Sequence, residues 1–223
     1  MDSIKQGSSG PLFQKPPQYF ENRREDLIAM IPSECKKILD VGCGAAEAWK
    51  GFSGEVSGIE LDAEAAEKAC KHLKEVVVGD IEHTKLPFAE GSFDCIVFAD
   101  VLEHLYDPWG ILIKFRPYLA EGGFILLSIP NIRHYRILRS LIFKGEFTYE
   151  DSGILDIDHI RFFTGKEVVQ LTDRAGFKIV KFKRKLAASS KYVLINSVLL
   201  GALDDFLTGQ YHMLAKKQQT GNF

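Results

Sequence analysis

The sequence lacks the marks of several large protein classes. Its four cysteines, Cys35, Cys43, Cys70 and Cys95, form no C-x-x-C pair and show no zinc-ligand spacing. Cys43 and Cys95 sit inside apolar runs, where a thiol behaves as a small buried hydrophobe. A disulfide framework and a metal module are therefore not expected, and a reducing compartment is. The longest late apolar stretch, 192–203, is too short to cross a bilayer. Residues 1–10 carry Asp2 and no apolar core, so no signal peptide is expected and the expected location is cytoplasmic. Neither sign of charge dominates: 28 Lys and Arg stand against 30 Asp and Glu, a net charge of −2. No polybasic field exists to attract nucleic acid. There is no internal repeat.

What is present is an ordinary globular composition over 223 residues, 46% of them hydrophobic, enough for one α/β domain with a modest insertion. Residues 1–18 are rich in Gly, Ser, Pro and Gln and are expected to be a loose segment; 216–223 is expected to be a frayed tail. The domain between them, 19–215, alternates. Short apolar runs at 37–41, 56–61, 76–78, 93–98 and 124–129 read as buried strands. The segments 45–52, 63–73 and 108–119 read as helices, with Asp62 and Asp107 as N-caps. Continuously apolar strands alternating with helices mean a parallel sheet covered on both faces. The rhythm breaks at 131–163, an insertion after the fifth strand. A helix at 164–175 follows, with Thr164 and Glu167 spaced as a capping box, then a strand at 177–182 and a final strand at 211–215.

The strongest chemical signal is Ile38-Leu39-Asp40-Val41-Gly42-Cys43-Gly44, a strand running into a tight glycine turn. Glycines there let backbone approach a ligand where a Cβ would collide. Ligands of open α/β sheets bind at the carboxyl ends of strands, so the place is right. Glu60 ends the second strand, where a carboxylate can accept both ribose hydroxyls of an adenosine ligand. Asp80 and Ile81 follow the third, where an acid can accept from the adenine amino group while Ile81 covers the ring. The fourth strand, through Ala99 and Asp100, borders the same crevice. A dinucleotide fingerprint wants a third glycine at position 47 for a pyrophosphate; this chain has Glu47, which would repel one. A ligand with an amino group suits the acid-flanked turn, and Asp40 is its expected partner.

The runs DVGCG, GIELD, GDIE, FDCIVFADVLEHL and GGFILLSIPN together resemble those of class I S-adenosylmethionine-dependent methyltransferases. Within that class the chain is similar to the small-molecule branch of ubiquinone O-methyltransferases and of methyltransferases from surface-glycan gene clusters. The resemblance covers roughly residues 36–183. Ala45-Ala46 departs from it, since a small polar residue or Gly is common there. The resemblance implies a Rossmann-like, doubly wound, seven-stranded sheet, mostly parallel with the last strand antiparallel. It implies S-adenosylmethionine as cofactor and S-adenosylhomocysteine as product. The cofactor-facing set is then Asp40, Gly42, Cys43, Gly44, Glu60, Leu61, Asp80, Ile81 and Ala99.

The acceptor side leaves alternatives open. His104 can be a general base, a residue packed on the cofactor, or a satisfied histidine; His159 competes with His134 and Tyr135. No metal is expected, because Glu103 and His104 have no acidic company nearby in sequence. Arg133, Arg136, Arg139 and Lys144 stand without an acid and with interleaved apolar residues, fitting an amphipathic helix. That segment reads as a solvated face of a lid or as an anion site for a phosphate- or carboxylate-bearing acceptor. The expected reaction is methyl transfer to a small molecule at a hydroxyl, by a monomer or homodimer. A catalytically silent cofactor-binding regulator and an NAD-dependent oxidoreductase are the alternatives. Ala99-Asp100-Val101-Leu102 lacks the Pro-Pro-aromatic turn of many enzymes that methylate nucleic-acid amino groups.

Overall fold

The computed structural model describes residues 24–187 and 189–218, the side chains of 190, 191, 193 and 195 excepted. The expected loose segment 1–18 and the end of the expected tail, 219–223, lie outside the described residues.

Seven strands form one sheet: β1 (Lys37–Val41), β2 (Glu55–Glu60), β3 (Glu75–Val78), β4 (Phe93–Ala99), β5 (Leu119–Pro130), β6 (Phe177–Leu186) and β7 (Thr208–Lys217). Their order is β3-β2-β1-β4-β5-β7-β6. The pairs from β3 through to β5 are parallel, and β7 runs antiparallel to both its neighbours, as expected. Alternation along the strands divides two apolar layers. Leu39, Val41, Ile59, Ile96 and Phe98 point into one, and Ile38, Cys95, Val97 and Leu126 into the other. With both faces buried, the runs are apolar throughout, which is why they were legible.

The chain builds outward from β1 to β3, then crosses back to lay β4 on the other side of β1. At that reversal two successive connections leave in opposite directions and open a crevice outside the carboxyl ends of β1 and β4.

The helices are α1 (Glu25–Ile28), α2 (Ala63–Ala69), α3 (Pro108–Phe115), α4 (Tyr135–Lys144), α5 (Gly165–Arg174), α6 (Ser190–Val198) and α7 (Asp204–Leu207). Asp62 caps α2 by accepting from Ala65 N at 2.7 Å, and Asp107 caps α3 by accepting from Gly110 N at 2.9 Å. The capping box at Thr164 and Glu167 is present, with Thr164 N donating to Glu167 Oε2 at 3.1 Å.

Three expectations need correction. The helix at 45–52 is only a three-residue 3-10 turn, Glu47–Trp49. Ala46 before it is left-handed (φ 60), Lys50 after it is extended, and Gly51 is left-handed again (φ 85). Only residues 45–54 separate the glycine turn from β2, too few for a helix and both its connections. The helix at 108–119 stops at Phe115. Arg116–Tyr118 is a 3-10 turn containing a proline, and β5 already begins at Leu119, which pairs with Phe93 and is fully buried. The link between β6 and β7 holds α6 and α7, where no helix was expected, and β7 starts at Thr208.

The insertion 131–163 is tied at both ends. Asn131 bridges Phe163, and its side chain donates to Asp205 O and Thr208 O at 2.7 and 2.8 Å. Its amphipathic helix is α4, closed by Gly145 in the left-handed region (φ 68). Among the described residues no helix is long and apolar enough to cross a membrane.

Candidate active site

The crevice begins at Asp40, one residue before β1 ends. Its side chain is buried on the Trp49 side of the sheet. Trp49 Nε1 donates to Oδ2 at 2.6 Å, while Oδ1 has no partner among the described residues. Burial pushes this carboxyl up to about 6, with Glu60's charge adding; the Trp49 hydrogen bond and the Arg24 guanidinium oppose it. A buried acceptor atom without a donor is costly unless something fills the gap. The donor it lacks is one an ammonium group supplies.

Gly42 and Gly44 are both left-handed (φ 72 and 56). A Cβ on Gly42 would sit 2.6 Å from Val101 Cγ2, so the loop after β4 closes onto bare backbone. Gly42 N and Cys43 N both donate to Ile59 O, at 2.8 and 3.1 Å. The Cys43 thiol is buried, and a Cβ on Gly58 would meet its sulfur at 2.6 Å. Its side chain is therefore core, and only its backbone belongs to the turn.

Glu60 locks turn and strand together. Oε2 accepts from Gly44 N at 2.8 Å, and Oε1 from Leu61 N and Asp62 N at 2.8 and 2.9 Å. A carboxylate offers about four acceptor sites. Three backbone donors thus leave room for about one further hydroxyl, fewer than the two expected. Leu61 is exposed beside it. Asp80 accepts from Glu82 N at 2.9 Å and pairs with His83 Nδ1 at 2.7 Å. Ile81 is buried, with its carbonyl held by Lys114 Nζ at 2.6 Å. Ala99 is buried at the end of β4 and pairs with Ser128.

Arg24 was missed by sequence reasoning. Its guanidinium lies 3.2 Å from Asp100 Oδ2, and its buried Nε has no partner among the described residues. Its charge also acts on Asp40 and Glu103. Asp100 is itself left-handed (φ 59), with Oδ1 accepting from Ser128 Oγ at 3.0 Å and from Gln210. No local pattern around Arg24 could have assigned it, because the carboxylates it acts on come from β1 and from the segment after β4.

The fold brings His104 and His159 together. The rings stand edge to face with centroids 4.7 Å apart. Each Nδ1 faces a backbone carbonyl, His104 to Asp158 O at 3.1 Å and His159 to Ile154 O at 3.0 Å. A carbonyl only accepts, so each Nδ1 carries a proton and each neutral ring keeps its lone pair on Nε2. His159 Nε2 is 3.9 Å from Glu103 Oε1. Glu103 is buried and neither oxygen has a hydrogen-bond partner among the described residues. Burial first, and Asp100's charge second, hold its carboxyl well above the usual range. The loop carrying His159 is clamped by Ile160 N and Arg161 N, which donate to Glu103 O at 3.0 and 2.9 Å. His134 lies elsewhere, with Nε2 3.0 Å from Ala187 O.

One ligand atom each from Glu103, His104 and His159 lies within 4.8 Å of the others. Two imidazoles braced by carbonyls and one carboxylate are a donor set that can hold a divalent cation. The expectation of no metal rested on sequence neighbours alone, and the fold adds His159 from the insertion. The turn Glu47–Trp49 offers no α-helical N-terminus to a diphosphate, and Glu47 pairs with Lys50 at 2.6 Å.

A family model described as "Methyltransferase domain" matches residues 16–181. The ubiquinone biosynthesis O-methyltransferase of Thiobacillus denitrificans is 29% identical over 157 residues, covering 66% of this chain and 66% of that protein. Its namesake from Psychrobacter arcticus is 30% identical over 152 residues, covering 64% and 59%. The chain spans less than two thirds of the length of these curated relatives. Among solved structures, a SAM-dependent methyltransferase from Archaeoglobus fulgidus shares the fold with a TM-score of 0.65 at 20% identity, covering 91% of this chain and 95% of that one. A [4+2]-cyclase shares it with a TM-score of 0.62 at 15% identity, covering 88% and 80%.

Proposed function

The chain belongs to the methyltransferase domain family, and from that premise we propose that it transfers the methyl group of S-adenosylmethionine to a hydroxyl of a small-molecule acceptor. The observation that carries the reading is the buried carboxylate oxygen of Asp40 that has no donor among the described residues, beside a glycine turn that a side chain would fill. The cofactor supplies an electrophilic methyl group on a sulfonium. Asp40 and Arg24 hold its amino and carboxylate groups, Glu60 takes a ribose hydroxyl, and Asp80 with Leu61 and Ile81 receives adenine. His104 or His159 accepts the acceptor's proton at Nε2. Positioning supplies about 7–11 kcal/mol of such a reaction, and a general base about 10²–10⁴-fold. The test is methyl transfer from labelled cofactor across a panel of hydroxylated metabolites, followed by mass spectrometry. Tight cofactor binding with no turnover on any acceptor would favour a silent binding protein instead.

Glu60→Ala should weaken cofactor binding by about ten- to 150-fold, because a hydrogen bond to a charged group contributes about 1.5–3 kcal/mol. Isothermal calorimetry reads this directly, and unchanged affinity removes Glu60 from the site.

The acceptor enters beneath the insertion 131–163, which acts as the lid. This segment contributes His159 and rests on Glu103 O through two backbone hydrogen bonds. Its acid-free helix supports an acceptor bearing phosphate or carboxylate, although Arg133 is already paired with Asp205 at 3.3 Å. Amide exchange in 150–163 should slow when cofactor and acceptor are both bound. Exchange that responds to protein concentration but not to ligand marks a subunit contact instead.

A further inference from the structure

We propose that the outer edge of β6 takes an extended acidic segment of a partner protein as an eighth strand. β6 closes the order β3-β2-β1-β4-β5-β7-β6 and pairs only with β7 among the described residues. The register sorts its side chains by face. Lys178, Lys181, Lys183 and Lys185 stand opposite Lys216, Leu214, His212 and Gln210, so these four lysines share the face on which Leu214 packs. Ile179 and Phe182 stand opposite Ala215 and Met213 and pack into the other layer. The register shift between Ile179 and Lys181 brings Lys178, three residues back, onto the same face as Lys181. All four lysines are exposed, and so is Lys216.

From Lys178 to Lys185 the strand carries no acid. Lys185 pairs with Asp26 at 2.8 Å and Arg184 with Asp205 at 2.9 Å, while Lys178, Lys181, Lys183 and Lys216 have no carboxylate partner among the described residues. Lysines on an edge strand can serve only to repel another sheet. That role leaves Lys216 unexplained: it lies on the inner strand, directly opposite Lys178, where like charges destabilise a sheet. An anion laid against this face relieves the repulsion. Spacing then selects the occupant. Side chains on one face of a strand recur about every 6.7 Å, so Lys181, Lys183 and Lys185 form an even row. A strand beside β6 with a carboxylate at every second residue has the same repeat and sets acid across from lysine. Its other residues fall on the face of Ile179 and Phe182, so the segment alternates acidic with apolar. Single-stranded nucleic acid is also a polyanion, but its bases are bound on exposed aromatic rings. The lysine face of β6 and β7 has none among the described residues, since Phe182 stacks on Tyr211 on the opposite face, centroids 5.3 Å apart. The inference does not depend on the methyltransferase reading.

The test is fluorescence anisotropy of the full chain with a labelled peptide of about eight residues that alternates Glu and Val, long enough for one strand. This peptide should bind, and one alternating Lys and Val should not. The same composition with its Glu residues in one block should bind at least about tenfold more weakly. N-methylation of alternate backbone nitrogens should abolish binding in one phase and spare it in the other, because a strand offers every second N–H to a given neighbour. Lys181→Ala with Lys183→Ala should weaken binding about 2- to 30-fold, with an unchanged thermal melt, since both side chains are exposed. Lys181→Glu with Lys183→Glu should transfer the preference to the Lys and Val peptide. No binding of the Glu and Val peptide, binding that survives the block order or both phases of N-methylation, or an unaffected Lys181→Ala, Lys183→Ala variant overturns the proposal. So does an oligothymidylate that binds more tightly than the peptide and is lost in that variant; that result assigns the row to nucleic acid.

Discussion

Below pH 6 the affinity for S-adenosylmethionine should fall about tenfold for each pH unit, and Asp40→Asn should abolish both the affinity and its pH dependence. Burial has raised the Asp40 carboxyl from 3.8 to about 6, so at lower pH the free protein holds it protonated. An ammonium group is held by the carboxylate, not by the acid. Binding below pH 6 must therefore expel a proton, and near pH 6 calorimetry in buffers of differing ionisation enthalpy should detect release of about half a proton. The stability consequence has the opposite sense. Between 3.8 and 6 the folded state binds more protons than the unfolded chain, so raising pH through that window costs stability. At pH 8 the cofactor-free Asp40→Asn variant should be more stable than wild type by up to about 3 kcal/mol, having lost a buried charge that Trp49 and Arg24 compensate only in part. A flat affinity from pH 5 to 8, or normal binding by the variant, rules out this role.

The same site shows what local sequence can and cannot convey. Strands β1, β2, β4 and β5 were legible because burial on both faces demands unbroken apolar runs, and the α5 capping box because its two members are three residues apart. The turn at Gly42 and Gly44 and the acid ending β2 were legible for the same reason. The segment 45–52 misled: Ala45, Ala46, Glu47, Ala48 and Trp49 favour a helix, and only the short path back to β2 prevents one. What that segment supplies instead is the Trp49 donor to Asp40, a contact no periodicity announces. Arg24 and the meeting of His104 with His159 were invisible because each depends on elements far apart in the chain. The helices between β6 and β7 were hidden for a different cause: Tyr192, Leu194 and Val198 of α6 face solvent and mark no stripe of the kind a packed helix displays, and α7 is only four residues long.

The largest kinetic effect should come from the histidine pair. Replacing His104 and His159 together by Ala should lower kcat by about 10²–10⁴-fold while leaving cofactor affinity within about threefold of wild type. The geometry behind this is the bracing of both rings, with Nδ1 of each at 3.0–3.1 Å from a backbone carbonyl and the accepting lone pair on Nε2. Single variants divide the roles. The residue that takes the proton should account for most of the loss, and its neighbour, 4.7 Å away between ring centres, should cost less by loosening the orientation. Glu103 separates proton transfer from metal chemistry, because it would be the one anionic ligand of a cation held by the three side chains. Glu103→Gln keeps the shape of the side chain and removes that ligand. If the histidines act as bases, this variant should stay within about tenfold of wild type in kcat, and a chelator should leave turnover unchanged. If chelation abolishes turnover, Mg²⁺ restores it, and Glu103→Gln falls as far as the double histidine variant, the three residues are cation ligands and the general-base reading is wrong. A double histidine variant with wild-type kcat removes the pair from the chemistry altogether. In that case alignment by the crevice would be carrying the reaction, as it can when the acceptor hydroxyl is acidic enough to ionise in water.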